Sequence, residues 1–95
     1  MRISKEIADY FKEETPKLGY NADVYLFGSR TDDKKRGGDI DILIIADKKF
    51  DDNETSKLYW GFQQKFGEQK LDIACFAKDE ESNFKNLILS EAIKL

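Results

Sequence analysis

The side chains most able to do chemistry are Asp39 and Asp41, in the run Asp39-Ile40-Asp41-Ile42-Leu43-Ile44-Ile45-Ala46. The apolar residues predict a central strand over 39–46. Side chains alternate faces along a strand, so Asp39 and Asp41 point one way while Ile40 and Ile42 point the other, into packing. Two carboxylates about 7 Å apart on one face repel each other unless a cation lies between them. Oxygen ligands without His or Cys suit Mg²⁺ or Mn²⁺. Leu43 and Ile45 continue that face, so the carboxylates belong at the strand's start, where the covered face opens. The same Asp-x-Asp also reads as solvated turn chemistry or a helix cap.

Two further features extend the pattern. Gly28-Ser29 follows the strand-like run Asp23-Val24-Tyr25-Leu26-Phe27. A glycine there lets the backbone approach a ligand, and free amides with a serine hydroxyl can cradle phosphate oxygens. It also reads as an ordinary strand-ending turn. Asp72 sits in the apolar strand 71–76 (Leu-Asp-Ile-Ala-Cys-Phe), where an unpaired buried carboxylate is costly. It is either an edge residue facing water or a third member of the acidic set, if its strand lies beside 39–46.

Composition removes most other chemistry. The 95 residues contain no His and one cysteine, Cys75. A Ser-His-Asp triad, a His-based zinc site, an intrachain disulfide and a multi-cysteine metal site are all excluded. The single cysteine suits a reducing compartment. No apolar run reaches the roughly 18 residues of a membrane span, and MRISKEIADYF lacks a signal-peptide core, so a cytoplasmic chain without membrane contact is expected. With 16 basic against 19 acidic residues, the net charge of −3 disfavours nucleic acid as partner.

The elements that must position these residues follow from periodicity. Ile3, Ile7, Tyr10 and Phe11 make one stripe of a helix over 3–15, which Pro16 and Gly19 close. Residues 30–38 read as a polar loop carrying Lys34, Lys35 and Arg36, a solvated charged segment. Residues 47–54 read as a charged turn and 55–66 as a helix with Leu58, Tyr59, Phe62 and Phe66 on one face. Ser82 caps a last helix in which Phe84, Leu87, Ile88, Ala92 and Leu95 keep helical spacing. Without repeats or linkers, this predicts one domain, 1–95. Its class is α/β (α+β), a small mixed sheet of about three or more strands covered by helices.

The combined pattern, LFGSRTDDKKRGGDIDILI at 26–44 with LDIA at 71–74, resembles the nucleotidyltransferase superfamily typified by DNA polymerase beta. It is most similar to the minimal nucleotidyltransferases of HEPN/MNT toxin–antitoxin pairs. The resemblance implies that Gly28 and Ser29 hold nucleotide phosphates and that Arg30 assists the triphosphate. It implies that Asp39 and Asp41 bind metal, and that Asp72 is the third carboxylate, holding metal and activating the acceptor hydroxyl. Gly38 stands where relatives often carry serine, which removes a hydroxyl but no carboxylate.

The function implied is Mg²⁺-dependent transfer of a nucleoside monophosphate, by default AMP from ATP, to a hydroxyl, including one on a partner protein. A binding module is the alternative: an antitoxin that restrains a small all-helical HEPN protein by complex formation. Tyr59, Trp60, Phe62 and segment 87–95 are candidate partner surfaces, but Tyr59 and Phe62 read sooner as helix packing onto the sheet, which leaves Trp60 foremost because it lies off the main helical stripe. A catalytically silent scaffold ranks below both, and association with further copies of the chain is open.

Overall fold

A computed structural model describes residues 3–19, 21–28 and 39–95. Helix α1 spans Lys5–Glu14, and Ser4 caps it by accepting the Ile7 amide at 3.2 Å. A 3₁₀ turn over Pro16–Leu18 follows and ends at Gly19, whose φ of 99° suits a residue without Cβ. Strand β1 (Ala22–Phe27) leads to β2 (Ile40–Ala46), and α2 spans Asp52–Phe66. Then come β3 (Leu71–Ala77), α3 (Asn83–Glu91) and a two-residue strand β4, Ile93–Lys94.

The sheet order is β3-β2-β1-β4. β1 runs antiparallel to both β2 and β4, and β2 runs parallel to β3, so the sheet is mixed. Parallel pairing needs a crossover, and α2 supplies it. The pleat sends Ile40, Ile42, Ile44 and Ala46 to one face, where they pack with Tyr10 and Phe11 of α1 and Leu58 and Phe62 of α2. Leu43 and Ile45 point to the other face, beneath Ile88 of α3. Both faces of β2 are therefore covered, which explains its unbroken apolar run. Tyr10 sits where α1 crosses α2. Its ring meets Phe11, Phe62 and Phe66 edge-on, and its hydroxyl donates to the Leu58 carbonyl at 2.8 Å.

Two expectations need correction. Helix α2 begins at Asp52 rather than 55, because Asp51 and Glu54 form a reciprocal capping box. That shortens the charged turn expected at 47–54. The last helix does not run to residue 95. Ala92 is extended, with ψ of 151°, and Ile93–Lys94 pair with Leu26 and Tyr25 of β1. The open edge of β1 provides hydrogen-bond partners that a further helical turn would forgo, and the Leu95 amide adds a bond to the Val24 carbonyl at 2.9 Å. Phe62 is fully buried, as helix packing onto the sheet expects, and Trp60 is 62% exposed. The loop expected at 30–38 lies outside the described residues.

Candidate active site

The end of the sheet where β1 finishes and β2 and β3 begin collects the chemistry. Register does this directly: Phe27 lies opposite Asp41 on β1–β2, and Asp41 lies beside Asp72 on β2–β3. Neighbouring residues at matched positions point to the same face. Both carboxylates therefore share the face of Leu43 and Ile45, covered further along by α3.

Asp41 is partly buried and Asp72 is exposed. Burial raises the Asp41 pKa most; the charges of Asp72 and then Asp39 add to it, with a side-chain hydrogen bond to Asp72, pushing it to about 6. One proton shared between two carboxylates is the low-cost state of such a pair when nothing positive stands beside it. Asp39 lies just ahead of β2 and acts on Asp41 through its charge. The structure thus joins Asp41 and Asp72 directly and sets Asp39 nearby.

Gly28 completes this end. Its φ of 76° is left-handed, and a Cβ built on it would overlap the Asp41 carboxylate. The chain therefore turns out of β1 directly against the acidic pair, a close approach that only glycine permits. The sequence pointed to Gly28 as a phosphate cradle, and its packing against Asp41 is an additional role. That role follows from the Phe27–Asp41 register, which sequence alone does not disclose. Ser29 and Arg30, the other expected nucleotide contacts, lie outside the described residues, as do Lys34, Lys35, Arg36 and Gly38.

The donors at this end are carboxylate oxygens, which suit a hard divalent cation rather than a soft metal. Among the described residues, no three Asp, Glu or Cys side chains close around one point as a metal cage. The fit lies in the chemistry: the raised pKa of Asp41 beside the Asp72 carboxylate marks a place where positive charge is favoured.

The chain belongs to the nucleotidyltransferase domain family, whose profile matches residues 4–95. Comparison with curated protein sequences gave no match. Among solved structures, the chain is similar to two mutant forms of an MntA-HpeT toxin–antitoxin complex. One has a TM-score of 0.72 at 18% identity, covering 99% of this chain and 72% of that chain. The other has a TM-score of 0.67 at 17% identity, covering 94% and 68%. A third is a chain of the complex of tri-AMPylated Shewanella oneidensis HEPN toxin with MNT antitoxin, with a TM-score of 0.63 at 18% identity, covering 94% of this chain and 65% of that chain. The fold is that of MNT-type nucleotidyltransferases, and the chain is a nucleotidyltransferase.

Proposed function

We propose that this chain transfers AMP from ATP to a hydroxyl on a partner protein, using Mg²⁺ or Mn²⁺ held by Asp39, Asp41 and Asp72. The observation that carries the reading is the Asp41–Asp72 pair at the sheet end, with Gly28 packed against it. Gly28 and Ser29 hold the triphosphate, and Arg30 offsets its charge. Asp72, the most exposed of the acidic set, faces the acceptor and takes the proton from its hydroxyl. That oxygen then bonds to the α-phosphorus as the bond to the departing pyrophosphate breaks. The divalent ion, when bound, neutralises phosphate charge. The chain's own work is orientation and electrostatics, which fits a sequence without His.

Support for a protein acceptor comes from the similar complex in which a HEPN toxin is AMPylated. Incubation with labelled ATP and Mg²⁺, with and without the product of a neighbouring gene, is the test. Label should appear on that protein, and a folded Asp41→Asn variant should transfer none. Undiminished transfer by that variant would remove Asp41 from the mechanism.

A binding role stands beside this one, because exposed apolar side chains remain after the core is built. Trp60 on α2 is 62% exposed, and Phe84 and Leu87 on α3 are 57% and 66% exposed. Phe84 and Leu87 belong to the helix that covers the acidic face, so a small helical partner gripping them is held close to Asp72. In this second reading the partner is an HEPN-type protein restrained by complex formation alone. Co-elution that survives Asp41→Asn distinguishes it from the first.

A further inference from the structure

The acidic end of the sheet has a basic residue at its rim. Gln69, two residues before β3, is clasped by Gln63 of α2. The Gln69 amide donates to the Gln63 side-chain oxygen at 2.8 Å, and the Gln63 side-chain nitrogen donates back to the Gln69 carbonyl at 2.8 Å. The Gln69 side chain stays on the α2 side, where it donates to the Phe66 carbonyl at 3.2 Å. Leu71 packs on that side too, in the cluster around α1 and α2. Side chains alternate along an extended segment, so Lys70, between these two, falls on the opposite face, which is the face of Asp72. The ladder with β2 reaches this residue, since the Ile40 amide donates to the Lys70 carbonyl at 3.1 Å. One step beyond the Ile40–Leu71 pair, Lys70 lies beside Asp39 as Asp72 lies beside Asp41.

The Lys70 backbone is thus fixed on both sides. Its side chain is exposed, and among the described residues its ammonium is in no ion pair. It also borders a hollow of about 320 Å³ with Trp60 and Gln63 on the α2 side. At the end of the sheet its flexible four-carbon stem reaches either side, so the charge of a ligand sets where the ammonium goes.

We propose that Lys70 binds the α-phosphate of the nucleotide, an inference that rests on the nucleotidyl-transfer reading above. On that reading the parts lie in order across the sheet end. Gly28, after β1, marks the triphosphate side, Asp39 and Asp41 of β2 hold the middle, and Asp72 of β3 marks the acceptor side. In-line transfer places the α-phosphorus between the departing pyrophosphate and the entering oxygen, hence between Gly28 and Asp72. Lys70 stands on the acceptor side of that place, one pleat from Asp72. Lys85, the other lysine near this strand's face, is held at the far end by the carbonyls of Ala77, Lys78 and Glu80. Three carboxylates repel an incoming phosphate, and an ammonium beside them offsets that repulsion while meeting a phosphate oxygen as a point charge. The same ammonium opposes a bare divalent cation, so the two ligands report on it with opposite signs.

Calorimetry with ATP and with AMP at saturating Mg²⁺, and paramagnetic resonance of free Mn²⁺ without nucleotide, test the assignment by binding alone. Lys70→Gln should weaken ATP and AMP alike by about tenfold, because both carry the α-phosphate. It should tighten Mn²⁺ by about threefold. Lys70→Arg should keep native affinity for all three, and circular dichroism verifies that each variant is folded. A structural role alone would move nucleotide and metal in the same direction. Unchanged ATP and AMP affinity in folded Lys70→Gln overturns the proposal, and so does a loss for ATP with AMP untouched, which would put the ammonium on the outer phosphates. A native chain that binds neither nucleotide nor Mn²⁺ overturns the nucleotidyl-transfer reading itself, and this assignment with it.

Discussion

At the scale of single residues, the proposed role of the acidic end and its stability oppose each other. Asp41 is held partly buried beside two like charges, so its ionised form works against folding when no cation is bound. Replacing it by Asn keeps the shape and removes the repulsion. Asp41→Asn should therefore abolish nucleotidyl transfer while raising stability at neutral pH by about 0.5–1 kcal/mol, after allowance for solvent screening of a partly exposed group. Urea unfolding at neutral pH measures it, and a destabilised variant would show that Asp41 is not repelled. Gly28 predicts the opposite sign. Alanine there must adopt a left-handed φ and push its methyl into the Asp41 carboxylate. Gly28→Ala should cost about 1–2 kcal/mol and depress transfer more than that loss of stability accounts for. Transfer at native level in a folded Gly28→Ala would mean that the close approach is dispensable.

At the scale of elements, the parts most legible in the sequence are those whose pattern is local. The strand 39–46 announced itself because β2 is buried on both faces. α1 did so through one continuous stripe, with Tyr10 and Phe11 buried. The capping box at Asp51 and Glu54 was equally local, and its spacing was there to be read. β4 was not legible, because Ile93 and Leu95 fit a helical stripe as well as an alternating strand. Only the open edge of β1, distant in sequence, decides between them. Lys85 was hidden for the same reason. It reads as a surface lysine on an amphipathic helix, yet it is buried, and its ammonium donates to the carbonyls of Ala77, Lys78 and Glu80 at 3.1, 2.9 and 3.0 Å. It thereby ties the turn after β3 to the first turn of α3. Lys85→Met keeps the aliphatic stem and leaves three carbonyls without that donor. The variant should lose about 2–3 kcal/mol, read as a fall in the urea midpoint. Unchanged stability would show that water replaces the ammonium there without loss.

At the scale of the whole molecule, the acidic residues come together through strand order. Helices α1 and α2 seal one face, α3 seals part of the other, and the site lies on that second face. The sequence indicated Asp72 as a partner for Asp41 only on condition that their strands were neighbours, and the parallel β2–β3 pairing meets that condition. This placement ties the stability of the entire fold to pH. The Asp41 pKa rises from 3.8 to about 6 on folding, so the protonated form favours the folded state. That contribution is complete below the unfolded value and disappears as pH climbs through about 6. For a partly exposed group it amounts to about 1 kcal/mol, and in a domain of this size that is about 4–8 °C in melting temperature. Saturating Mg²⁺ should reverse the loss, since it binds the ionised carboxylates and stabilises only the folded chain. Melting curves at pH 4.5 and 7.5, with and without Mg²⁺, should show the ion acting at the higher pH alone, and Asp41→Asn should flatten the difference. Equal stabilisation by Mg²⁺ at both pH values, or in the variant, would place the cation elsewhere on this acidic chain.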